Sequence, residues 1–133
     1  MSNIVADEAM PHRIVNPPEL GEPRGFSHAV VAGNTVYLAG QIGAGRTMLD
    51  QFDGAIGNLL TALGACGGEP RDLVSLQVFV TDVAGYHAVL PGLGRTWRKH
   101  FGDHYPAMGL FGISALFDPE AMVEVMGVAV LQT

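Results

Sequence analysis

The spacing of apolar residues switches back and forth between a strand-like period of about two and a helical period of about 3.6, which restricts the chain to folds that lay helices on a sheet. From Leu49, the positions Leu49, Phe52, Ile56, Leu59, Leu60 and Leu63 recur at helical spacing. Thr47 stands where a helix is capped, and Gly67-Gly68 where one ends. Val74, Leu76, Val78 and Val80 then alternate with Ser75, Gln77 and Thr81, predicting a strand that closes a β-helix-β unit and lies inside the sheet. Tyr86, Val89, Leu90, Leu93, Trp97 and Phe101 trace a second helical stripe, disturbed by Pro91 only in its first turn. Arg95, Arg98, Lys99 and His100 suit the negative end of that helix.

Ahead of the first helix, Phe26 to Ile42 reads as two strands joined by Gly33-Asn34, a pairing suited to the positive backbone angles of a two-residue hairpin turn. Two further strands, Ala107 to Leu116 and Met122 to Leu131, are predicted at the end, joined through a turn at Asp118-Pro119. Pro11 to Gly25 carries four prolines among polar residues and, with the residues before it, is expected as an extended arm over 1–25. The predicted order is β-β-α-β-α-β-β, an α/β (α+β) fold in one domain spanning 1–133. Two helices cover one face of such a sheet. Because the last strand is apolar on both parities, the other face is expected to meet another subunit. Composition agrees, with 48% hydrophobic and only 15% charged residues, against roughly 25% charged in typical soluble chains.

Seven basic residues against thirteen acidic ones give a formal charge of -6, which disfavours a nucleic-acid partner and ranks a ribonuclease reading last. The first ten residues carry Asp7 and Glu8 and no long apolar run, so neither a secretory signal nor a membrane span is expected and the location is read as cytoplasmic. The single cysteine, Cys66, is read as a packing residue. His100 and His104 are four apart, but Gly102 breaks their shared face and no third ligand is evident, so no metal site is expected. Gly40, Gly43 and Gly45 lack the third glycine of a dinucleotide fingerprint and the Lys-Ser or Lys-Thr of a phosphate loop, so they read as a plain connection, and no cofactor is expected.

Five segments together carry a more specific signal: Gly25-Phe26-Ser27-His28-Ala29-Val30, Val36-Tyr37-Leu38-Ala39-Gly40-Gln41-Ile42, Val78-Phe79-Val80-Thr81-Asp82, Tyr105-Pro106-Ala107 and Val123-Glu124-Val125. From about Arg13 to Leu131 the chain resembles the reactive-intermediate deaminase (RidA, or YjgF) family. The resemblance implies a chorismate-mutase-like homotrimer, a small-molecule ligand at each subunit interface, and hydrolysis of enamines and imines. Carried over residue by residue, the family arginine after Pro-Ala falls on Met108, the pocket tyrosine on Phe26, the asparagine of the second helix on Leu90, and the cysteine two places past the arginine on Leu110. A thioether at Met108 cannot replace the two charged hydrogen bonds an arginine gives a carboxylate, so the pocket reads as less polar than the family's.

Glu124 matches the family glutamate credited with activating water, and Gly40 the position where backbone approaches the ligand. Glu124 shares a strand face with Met122, Met126, Val128 and Val130, where an ionised carboxylate is costly unless paired. It is therefore either a proton-moving group or half of an ion pair across an interface. Gly40 is either a ligand contact or a strand bulge. His28 stands where the family has glutamine and is either a proton relay beside Phe26 or a core or interface histidine. The resulting expectation is an imine- or enamine-directed hydrolase or tautomerase using Glu124 and His28, with Phe26, Gly40, Leu90, Met108 and Leu110 around the substrate. A non-catalytic binding or partner-supporting trimer is the alternative.

Overall fold

The computed structural model describes residues 12–132, which contain six strands in one mixed sheet ordered β1-β2-β3-β6-β4-β5. The strands are β1 (His12–Val15), β2 (Ala29–Ala32), β3 (Thr35–Gln41), β4 (Leu73–Val80), β5 (Ala107–Gly112) and β6 (Val123–Val130). Three α-helices are described: α1 (Met48–Ala65), α2 (Val83–Ala88) and α3 (Leu90–Phe101). The predicted α+β class and hairpin-helix-strand order hold. The last strand in sequence lies at the centre, antiparallel to β3 and β4, while β4 and β5 run parallel.

Helix α1 forms where its apolar spacing places it. Asp50 N donates to Thr47 Oγ1 at 3.1 Å, satisfying a first-turn donor, and Gly67 takes a φ of 89° just past the C-terminus. Phe52, Ile56, Leu59 and Leu63 on its inner face are almost wholly buried against one face of the sheet, where they meet Val36, Leu38, Val123, Val125 and Ala129. Each such side chain contributes about 1.5–3 kcal/mol when removed from water. Cys66 is buried beside this core, and burial pushes its thiol up, in keeping with a packing role.

Four expectations need correction. The part of the proline-rich arm that lies within the described residues is no surface arm: His12–Val15 pairs with β2 as an edge strand, and Pro18–Leu20 forms a short 3₁₀ turn. Residues 1–11 of that segment lie outside the described residues. The second helical stripe is two helices, because Pro91 lacks the N–H and crowds the preceding turn that a continuous helix would need. Alternation along β4 fails at its start. Leu73 and Leu76 both face the core, and a bulge between Leu73 and Ser75 turns Val74 outward. Finally, only Gly33 of the hairpin turn has positive φ, at 63°, so the turn is of the kind with one left-handed residue rather than two.

The helices cover one sheet face. On the other, Tyr37, Met126 and Phe111 are exposed, Val30, Phe79 and Val128 are half-buried, and Phe79 stacks on Phe111 at 5.6 Å between centroids. This open face carries apolar residues from five strands, β2 to β6, and no chain segment among the described residues covers it.

Candidate functional site

Glu124 points from β6 onto that open face, directly across from Phe79 of β4. On its other side β3 is irregular, since pairing to β6 jumps from Leu38 to Gln41. That bulge places Gly40 under the glutamate: a Cβ at Gly40 would overlap the Glu124 carboxyl, whose Cδ lies 2.8 Å from where it would stand. The bulge reading of Gly40 holds, and the bulge is what gives the carboxyl its space. Burial raises the Glu124 pKa above the usual glutamate range, and no cation or hydrogen-bond donor among the described residues offsets it.

A cavity of about 540 Å³ opens in front of this carboxyl. Its walls are Ala39, Gly40, Gln41 and Ile42 from β3 and its exit, Phe26 and His28 from the segment entering β2, and Phe117 and Asp118 from the loop before β6. Arg24 completes the lining. Four of the sequence-derived residues, Phe26, His28, Gly40 and Glu124, therefore meet at one cavity.

Leu90, Met108 and Leu110 do not line it. Met108 and Leu110 pair with Leu76 and Val78 and so share the helix-side parity, opposite to Glu124. All three are exposed, at 43%, 46% and 42%. Any contact they make with a ligand in this cavity must come from a second copy of the chain.

His28 is buried and fully engaged. Its Nε2 lies 3.1 Å from the Gly21 carbonyl, and its Nδ1 lies 3.1 Å from Gln41 Nε2. A carbonyl only accepts, so Nε2 carries the proton, and the Gln41 amide donates to Nδ1. The backbone N–H of His28 donates to Asn16 Oδ1 at 2.8 Å, and its ring meets Phe26 edge-on at 5.3 Å. With both ring nitrogens occupied, His28 is built as a clamp on the Gly21–Phe26 segment rather than as a free proton relay. The opposite wall is held by Gln51, which donates to the Gly45 and Glu120 carbonyls and accepts from Met122 N.

The paired histidines are spent elsewhere. His100 Nε2 lies 2.6 Å from Asp53 Oδ1, and His104 Nε2 lies 2.8 Å from the Leu73 carbonyl. Lys99 joins the former pair, and the two contacts hold the Asp53 carboxyl below its usual range. Arg24 was missed in the sequence because nothing in a proline-flanked segment signals that it lines the same cavity as a strand residue a hundred positions later.

A glutamate held partly neutral by burial costs stability when it ionises. The folded chain keeps its proton to higher pH than the unfolded chain, so stability falls as pH rises from the usual glutamate range through the raised folded value. Glu124→Gln should therefore melt above wild type near neutral pH, with the two curves converging below the usual glutamate pKa, as read by thermal scans across pH. A difference independent of pH would show that ionisation of Glu124 is not the cause.

Known proteins resemble this chain in sequence and fold. The family model described as Endoribonuclease L-PSP matches residues 19–131. A Dermatophagoides farinae protein named 2-iminobutanoate/2-iminopropanoate deaminase is 30% identical over 131 residues, covering 92% of this chain and 98% of its own. A human protein of the same name is 23% identical over 113 residues, 79% of each chain. The crystal structure of a Mycobacterium tuberculosis member of the YjgF/YER057c/UK114 family superposes with a TM-score of 0.78 at 27% identity, covering 90% of this chain and 99% of that one. The chain belongs to the Endoribonuclease L-PSP family, the RidA or YjgF proteins.

Proposed function

We propose that the protein hydrolyses a small, labile imine or enamine, with Glu124 moving the protons. The observation that carries this reading is the unpaired, partly desolvated Glu124 carboxyl facing a cavity. A carboxylate whose pKa lies closer to neutral than usual is suited to both halves of such a reaction. As water attacks the imine carbon, Glu124 takes a proton from it while the C=N π electrons move to nitrogen. It then returns that proton to the nitrogen, giving a neutral carbinolamine. Glu124 next takes the hydroxyl proton and passes it to the amino nitrogen as the C–N bond breaks, so that ammonia leaves and a carbonyl compound remains. Relatives named as 2-imino acid deaminases support the reaction class. The acidic lining by Glu124 and Asp118 does not suit an RNA substrate.

The working unit in this reading is a homotrimer. The apolar open face and the exposed Leu90, Met108 and Leu110 support it, because a neighbouring copy would both bury that face and bring those three residues to the mouth of the cavity. His28 serves there as a positioning residue, and Phe26 and Gly40 shape the wall beside the reacting carbon.

Light scattering on the purified chain should give the mass of three subunits, and Tyr37→Arg on the open face should shift it toward monomer. A monodisperse monomeric wild type would remove the interface pocket. For the chemistry, 2-imino acids generated by an amino-acid oxidase and trapped with semicarbazide should decay faster with wild type, and Glu124→Gln should lower that rate by about 100-fold or more. Equal rates in the two proteins would exclude Glu124 as the proton-moving group.

A further inference from the structure

Among the described residues Arg24 is the one cation lining the cavity, and its position suggests a task that Met108 cannot perform. Among the described residues the ion pairs are Arg71–Glu69, Lys99–Asp53 and His100–Asp53, so neither Glu124 nor Asp118 neutralises Arg24, although all three line the same space. The rest of the lining is largely apolar or backbone, and a carboxylate entering there without a partner would lose its hydration uncompensated. A guanidinium gives such a group two parallel charged hydrogen bonds.

The segment that carries Arg24 is preorganised for this. Gly21 and Gly25 on either side take φ of 78° and 84°, conformations that side chains other than glycine rarely adopt. His28 fixes its two ends, holding the Gly21 carbonyl through Nε2 and packing edge-on against Phe26. His28 is itself locked by Asn16 and Gln41. A polar network built on the buried His28 and Gln41 thus holds this short segment against the cavity.

We infer that Arg24 binds the carboxylate of the substrate and so turns the reacting carbon toward Glu124. The inference rests on the hydrolytic reading for the identity of the anion and extends it by naming the anchor. The carboxylate-binding cation is thus supplied from the segment before β2.

The test is calorimetric titration of 2-oxobutanoate, the stable product of 2-iminobutanoate hydrolysis, and of uncharged 2-butanone into wild type, Arg24→Gln and Arg24→Lys. Arg24 is exposed, so the variants are expected to fold, as thermal melting would verify. Wild type should prefer 2-oxobutanoate to 2-butanone by about tenfold or more, Arg24→Gln should lose that preference, Arg24→Lys should keep part of it, and added salt should erode it in wild type. Equal affinity for 2-oxobutanoate in wild type and Arg24→Gln would overturn the assignment, as would a wild type indifferent to the carboxylate. Wild type that binds through Arg24 yet hydrolyses no imine would leave this inference standing and remove the hydrolytic reading alone. Hydrolysis of 2-iminobutanoate with the same KM in wild type and Arg24→Gln would do the reverse.

Discussion

Strand β6 has two apolar faces, and the chain supplies helices for only one of them. Val123, Val125 and Ala129 are sealed by α1, whereas Met126, Val128 and Val130 on the alternate positions are left partly in water. Because side chains alternate strictly along a strand, no local adjustment can hide both sets. The cavity and its carboxyl sit on the face left open: Glu124 on β6 itself, the bulge of β3 beside it, and the space they share with the segment before β2. A carboxyl placed at the border of an uncovered apolar surface is partly desolvated in one copy of the chain, and a second copy laid over that surface would withdraw it further from water.

Much of the fold was legible because periodicity is a direct consequence of burial. Leu49 to Leu63, with Thr47 before and Gly67 after, could hardly be anything but a helix, and Gly33-Asn34 between two β-branched runs could hardly be anything but a hairpin. What escaped was governed by contacts made at long range. His12–Val15 becomes a strand because the exposed edge of β2 offers it hydrogen bonds, a benefit invisible in a segment rich in proline. The bulge at Val74 arises because Leu73 and Leu76 both have core positions to fill, which an alternating pattern cannot express.

The site was legible in part because the chain resembles a family whose site residues can be carried over position by position. Phe26, His28, Gly40 and Glu124 could be singled out individually, and strand pairing then brought them together. The parity of Met108 and Leu110 was fixed only by the parallel register of β5 on β4, which sets them on the far side of the sheet from Glu124. The role of His28 depended on partners 7 and 13 residues away in sequence, neither of which has a local signature. Arg24 likewise acquires meaning only from what the fold sets opposite it.

The central claim is that Glu124 is an unpaired carboxyl held above its usual pKa at the wall of a cavity. A pH titration of the glutamate side-chain carboxyl carbons by NMR, with Glu124 assigned by the signal lost in Glu124→Gln, tests this directly. Glu124 should titrate with a midpoint above the usual glutamate range, with a further change on adding 2-oxobutanoate. A midpoint within or below that range would show that Glu124 is solvated or paired with a cation, and would contradict the central claim.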